Sequence, residues 1–255
     1  MQGRGIAGIR SALRAGGVLS SAALSLATQG APLRAEPGPP HTEMFSGIEA
    51  ADNYAVGWVG GGYAFGEGLY APGWRLRAVG VYGHYNYDGG LFDGADFAAT
   101  RFDGQVTFAA ALAGYQFRPG AATVKFFAGI EAEDQNIEPR DPNNRVQGSE
   151  LGLRLVVETW YDIAPRWFAS ADASYGTAFQ QYWSRARIGF RAWPKLSFGL
   201  EGGALGNEEY DAGRGGGFVR LDVRKLEVTL SGGFTGDYLM DDPSGYVSLG
   251  VYRKF

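Results

Sequence analysis

Cysteine is absent from this chain of 255 residues, which excludes disulfide staples and thiolate chemistry. Histidine is nearly as scarce: His41 and His84 are the only two, so a general base has few candidates. Beyond the N-terminus no apolar run approaches the roughly 18 residues that a membrane-spanning helix needs. The formal charge is -4, and no basic stripe interleaves with aromatics, so nothing points to nucleic acid. From Met44 onward no helical period is sustained over about ten residues. What the chain has in quantity is glycine, 41 residues, and aromatics, 14%. Mean hydropathy is near neutral. A transmembrane β-barrel escapes a hydropathy scan, because its lipid-facing and lumen-facing residues alternate.

The first residues read as an export signal. Arg4, Arg10 and Arg14 make a positive region, and Ala15–Ala27 a short apolar core, too short to span a bilayer. Small residues at Ala27, Ala31 and Ala35 offer cleavage points. The expected division is therefore a signal peptide at 1–35, a Pro-rich lead-in at 36–43 (EPGPPHTE) and a single barrel domain at 44–255.

The stretch SELGLRLVVETWYD, Ser149–Asp162, sets the pattern for the mature chain. With period two, one face carries Leu151, Leu153, Leu155 and Val157, and the other Glu150, Arg154, Glu158 and Trp160. Similar strands are expected at Met44–Ala51, Tyr54–Phe65, Gly73–Tyr87, Gln105–Phe117, Thr123–Glu133 and Ser149–Tyr161. The second half adds Trp167–Ala178, Gln180–Trp193, Leu196–Leu205, Gly217–Val223, Leu226–Gly236 and Gly245–Phe255. That makes about twelve, an even number, as in bacterial single-chain barrels. Turns after even strands are short: Arg118–Ala122, Asp162–Arg166, Pro194–Lys195 and Arg224–Lys225. Connections after odd strands are mostly long and polar: Asp88–Gly104, Asp134–Gly148, Gly206–Gly216 and Asp237–Ser244. Short periplasmic turns alternating with long outer loops are a membrane-barrel pattern, whereas a soluble sandwich has no cause to alternate them.

Alternation by itself does not say which face is inside. A charge facing lipid at mid-bilayer costs about 2–4 kcal/mol, so in a membrane the charged faces turn inward. The lumen is then expected to hold Lys125, Glu131, Glu150, Arg154, Glu158, Asp172 and Arg185. Arg187, Arg191, Glu201, Arg220, Asp222 and Glu227 complete this charged set. It reads either as a structural network of ion pairs or as a polar path for a sugar chain, with Tyr82, Tyr85, Tyr87, Tyr115 and Trp183 as stacking platforms. Trp74, Phe117, Trp160, Tyr161, Trp167, Trp193 and Phe255 fall beside the periplasmic strand ends, as an aromatic girdle would. The terminal strand GYVSLGVYRKF ends on Phe255 with Val247, Leu249 and Val251 on its parity, the form used for recognition by the barrel-assembly machinery.

Catalytic and metal signals are weak. His84 lies in GVYGHYNYD near an outer strand end, but no local serine motif accompanies it. DQNIEPRDPNN, Asp134–Asn144, is rich in oxygen donors without EF-hand spacing. GRGGG, Gly213–Gly217, opens no helix and is no phosphate loop. No cofactor, no metal and no enzymatic activity are expected.

Several segments carry a family resemblance: Phe45–Phe65 (FSGIEAADNYAVGWVGGGYAF), Trp74–Asp88, ETWYDIAP at Glu158–Pro165, Ser174–Trp193 and Phe198–Val219. Together they resemble the BcsS family of bacterial cellulose-biosynthesis outer-membrane proteins. The chain departs from that pattern at Gly199-Leu200-Glu201, where members often carry Gly-Pro-Glu. The resemblance implies an outer-membrane protein of a Gram-negative bacterium that assists secretion or surface retention of cellulose-type exopolysaccharide. It carries over no catalytic residue. Expected partners are outer-membrane lipid, cellulose or its synthase export apparatus, and the barrel-assembly machinery during biogenesis. The fold class follows as all-β: an antiparallel transmembrane up-and-down barrel of about twelve strands after a cleavable signal peptide. The alternatives are a small porin-like channel and a lipid-modifying barrel enzyme that uses His84.

Overall fold

The computed structural model describes residues 38–92, 97–236 and 244–255. The expected signal peptide, the first two lead-in residues and most of the Asp237–Ser244 connection lie outside them. Twelve strands follow in chain order: β1 (Thr42–Ala51), β2 (Tyr54–Ala64), β3 (Gly73–Phe92), β4 (Phe97–Phe117), β5 (Ala122–Glu138) and β6 (Gly148–Ala164). Then come β7 (Trp167–Gly176), β8 (Tyr182–Trp193), β9 (Leu196–Gly206), β10 (Asp211–Val223), β11 (Leu226–Gly236) and β12 (Ser244–Lys254). Each pairs antiparallel with its chain neighbour, and β1 closes on β12 from Glu43↔Lys254 to Ala51↔Tyr246. Closure leaves no sheet edge within the wall, the condition for a sheet to cross a bilayer. Both ends of the barrel chain meet at one rim, the periplasmic one in the expected topology, where Thr42 and Phe255 exchange backbone hydrogen bonds.

The wall is inside out relative to a soluble protein. On β6 Leu151 is 83% exposed and Leu153 63%, while Arg154 between Leu153 and Leu155 is 1% exposed. Ile48, Val59, Ile130, Leu200, Leu230 and Val247 extend the outward apolar band around the barrel. Trp74, Phe117, Tyr161, Trp167, Trp193 and Phe255 point outward at the periplasmic rim, and Arg253 lies over the Phe255 ring at 4.5 Å. Trp160 does not join them. It shares the parity of Glu158, turns inward and stacks on Phe168 at 4.4 Å.

Three expected loops are strand in part. β3 and β4 stay paired from Gly73↔Gln116 to Phe92↔Phe97, so most of Asp88–Gly104 is ladder. β5 runs on to Glu138, and GRGGG lies within β10, opposite β9 and β11. The polar, turn-like composition misleads because these upper segments stand clear of the apolar band. Outward positions there meet water, so Asp, Asn and Arg occupy ladder sites. The short connection expected between Ala178 and Gln180 is a 3-10 turn at Ala178–Gln180, with β7 ending at Gly176 and β8 beginning at Tyr182.

Candidate functional site: a filled and capped lumen

Inward side chains meet across the barrel in ionic layers. Near the periplasmic end Arg77 donates to Glu43 at 3.1 Å and to Glu158, with its guanidinium 4.2 Å from the Phe127 ring centre. Lys125 approaches Glu158 at 3.3 Å, and the Tyr252 hydroxyl donates to Glu43 at 2.8 Å. Higher up, Arg154 pairs with Glu131 at 2.7 Å, donates to Ser174 and lies 4.7 Å from the Phe108 ring. On the other side Arg187 pairs with Glu201 at 2.6 Å and donates to Ser231, while Tyr246 donates to Glu201 at 2.6 Å. Arg185 meets Asp172 at 3.4 Å, and Arg220 meets Glu227 at 3.2 Å. Arg214 reaches across to Glu49 through two bonds of 3.0 and 2.9 Å, and Glu49 also accepts from Tyr54.

Charges removed from water in this way are tolerable because each finds a partner of opposite sign or a ring face. Nine of the expected residues are buried in the lumen: Lys125, Glu131, Arg154, Glu158, Asp172, Arg187, Glu201, Arg220 and Glu227. Arg185 is partly buried beside them. Glu150 sits at the outer rim, and Arg191 and Asp222 sit half-buried at the periplasmic rim, with Arg191 bonded to Asp162. Not anticipated were Glu43, Glu49, Arg75, Arg77, Glu133, Arg214 and Lys254. The period-two rule would have found several: Arg75 and Arg77 alternate with Trp74 and Leu76.

The rest of the lumen is apolar. Trp58, Val79, Val81, Val106, Phe108, Leu112 and Phe127 form one buried cluster lining the β2–β5 side. Glycines on the wall make room for rings laid flat against it. A Cβ at Gly104 would stand 2.1 Å from the Tyr85 ring, and one at Gly189 2.2 Å from the Phe168 ring.

At each mouth a described connection folds inward. At the periplasmic rim the 65–72 connection folds inward, leaving Leu69 1% exposed. Its carbonyls are held by Arg75, which donates to Gly68, Leu69 and Ala71 at 2.8–3.2 Å, and by Gln116. At the outer rim the Thr177–Gln181 turn dips in and buries Phe179. Its amides at Ala178 and Phe179 donate to Glu131 at 3.0 Å and Glu150 at 2.8 Å, and Gln181 donates to Glu133. Phe179 and Gln180 both hold left-handed backbone, φ 49° and 50°, a strain of order 1–3 kcal/mol each that these carboxylates and the packing must hold in place. Beside it, the 139–147 loop buries Val146 and is tied down by Tyr87 donating to Asp141 at 2.9 Å.

The expected sugar platforms do not converge. Tyr85, Tyr87 and Trp183 are buried in the lumen, Tyr82 points outward, and Tyr115 lies at the periplasmic end of the outer wall. His84 also faces outward, edge-on to Tyr82 at 5.0 Å. Directly across the ladder it meets Ala55 and Gln105, neither of them a nucleophile. Among the described residues no three acidic or histidine side chains are placed to hold a metal, Asp134–Asn144 included.

Solved structures similar to this chain are outer-membrane proteins. They include the KdgM porin (8% identity, 84% of this chain and 99% of that one, TM-score 0.46). They also include Omp33 of Acinetobacter baumannii (14% identity, 85% and 98%, TM-score 0.42) and the CymD monoaromatic hydrocarbon channel (8% identity, 85% and 89%, TM-score 0.49). No curated protein matches the chain. The family model described as cellulose biosynthesis protein BcsS matches residues 44–255, nearly every described residue of this capped and filled barrel, and the chain belongs to that family.

Proposed function

We propose that this outer-membrane barrel assists secretion or surface retention of a cellulose-type exopolysaccharide without catalysis and without conducting the polymer. The observation that carries this reading is the filled lumen. Arg154 is 1% exposed and Phe102 0%, values far from those of side chains lining a water-filled pore. A glucan chain needs a continuous path wide enough for a sugar ring, and buried ionic layers, an aromatic cluster and two inturned connections fill the interior among the described residues. The polymer then leaves by another route, and the barrel acts at the membrane surface beside it.

Two measurements test this. Reconstituted in planar bilayers, the purified barrel is expected to give no steady single-channel current; a steady open level would favour the porin-like channel instead. Deleting the protein from a cellulose-producing host is expected to lower the cellulose secreted or held at the cell surface. Unchanged secretion and retention would refute the proposal.

A further inference from the structure

From Trp74 to Tyr82 the outward side of β3 spans about 27 Å of strand at about 3.4 Å per residue, which at a tilt of about 40° rises about 21 Å, so Tyr82 stands near the upper edge of an apolar band about 25 Å tall. Above Tyr82 the same side changes character. One row across β3, β4 and β5 reads His84–Gln105–Asn136, and the next reads Asn86–Asp103–Glu138. Asp88 lies opposite Arg101 one step higher, and Asp134 lies below, on the Tyr82 row. Neighbouring strands stand about 4.8 Å apart and same-side residues about 7 Å apart, so the two rows form a flat, rigid grid of amides and carboxylates. The opposite side of these strand ends is packed with Tyr85, Tyr87, Phe102, Val106 and Ile137, which fixes the backbone beneath the grid.

Among the described residues, none of the six side chains in these two rows hydrogen-bonds another side chain. Solvation alone would account for polar residues here, but not for the sign of the charge. In these rows and the positions flanking them on the three strands, four carboxylates (Asp88, Asp103, Asp134 and Glu138, the last two on β5) stand against two basic side chains, Arg101 and His84, so an anionic partner is repelled. A protein interface would centre on apolar and aromatic side chains, which these rows lack. A neutral sugar chain has hydroxyls that both donate and accept, and Asn86, Gln105 and Asn136 offer both functions in a fixed array, with the exposed Tyr82 ring at its lower edge. Resting on the cellulose reading above, we infer that this outward face of β3–β5 above the bilayer is the contact surface for a neutral β-linked glucan.

The test uses the full barrel in lipid nanodiscs and amorphous cellulose. The wild-type protein is expected to co-sediment with the cellulose. The triple variant Asn86→Ala, Gln105→Ala, Asn136→Ala is expected to lose about tenfold or more in apparent affinity. Lys195→Ala, exposed in the β8–β9 turn at the opposite rim, serves as a control that should bind like wild type, and unchanged heat-modifiability on gels certifies folding of each variant. Equal binding by the triple variant, or no binding by wild type, overturns the inference. So does loss of binding to lipopolysaccharide vesicles with cellulose binding intact, which would assign the face to lipid-borne sugar. If the triple variant binds like wild type while deletion still strips cellulose from cells, the face fails and the proposed function stands. If deletion changes nothing in cells, the proposed function fails whatever the sedimentation shows.

Discussion

Arg77→Met offers the sharpest test of the ionic filling, because Arg77 joins three strands. Its guanidinium bridges Glu43 on β1 and Glu158 on β6 from β3, packs on Phe127, and its side chain has no exposure to solvent. Methionine roughly keeps the volume and removes only the charge and the donors. Breaking a buried ion pair from one side costs about 3–5 kcal/mol, chiefly because the partner is left charged in a poorly solvated place. Here each carboxylate keeps one partner, Lys125 for Glu158 and the Tyr252 hydroxyl for Glu43, which moves the expected loss to the lower end. The expected outcome is about 3 kcal/mol, part of it the cation–ring contact. The assay is reversible urea unfolding of the barrel in lipid vesicles, followed by tryptophan fluorescence. Adding Glu158→Gln completes a double-mutant cycle, with a coupling of about 1.5–3 kcal/mol expected for a charge-assisted bond. A loss below about 1 kcal/mol, or a coupling indistinguishable from zero, would refute the claim that these layers hold the barrel together.

Three further outcomes bear on other parts of the molecule. Ile130→Lys places a charge on the outward side of β5 in the apolar band, and vesicle unfolding should show a loss of about 2–4 kcal/mol; a neutral effect would mean that this face does not meet lipid. Glu131→Gln with Glu150→Gln weakens the hold on the outer turn, so the buried Phe179 should become a chymotrypsin site that wild type lacks, read by fragment mass. Arg224, at φ 60° in the two-residue β10–β11 turn, should accept glycine with a gain of about 0.5–1 kcal/mol, seen as a raised urea midpoint.

The barrel was legible because membrane burial writes itself as parity. Leu151, Leu153 and Leu155 against Glu150, Arg154 and Glu158 needed only the choice of which side was inside, and short turns alternating with long connections supplied it. Three things were not legible. Trp160 was placed by its distance from the strand end, but its parity with Glu158 puts it in the lumen, where Arg220 lies 5.2 Å from its ring. The apolar half of the lumen was hidden because β3 beyond Arg77 is hydrophobic on both sides: Val79 and Val81 face in while Ala78 and Tyr82 face out. Such strands give period-two reasoning nothing to separate. The upper halves of β3 and β4 were lost to the opposite effect, since a strand above the bilayer has the composition of a loop.

A filled lumen also changes what the outer wall must do. If the interior carries no cargo, any specific contact with the polymer has to be made where side chains are both polar and free, and the membrane restricts that sharply. Over most of the wall an outward polar group would face lipid and be selected against. Only where strands rise past the band can outward positions be chosen for recognition, and β3, β4 and β5 are paired neighbours that rise past the β5–β6 ladder, which ends at Gln135↔Gly148. Their length would be costly as a bare ribbon, because two isolated strands are marginal in water. The inward packing of Tyr85, Tyr87 and Phe102 beneath the 139–147 loop removes that penalty. The cap at the outer mouth and the rigidity of the outward face are therefore one construction. Loosening the first, as by Tyr87→Ala, should weaken glucan binding at the second even though Tyr87 never meets solvent. Cosedimentation of that variant measures the coupling directly, and full-strength binding by it would separate cap from face.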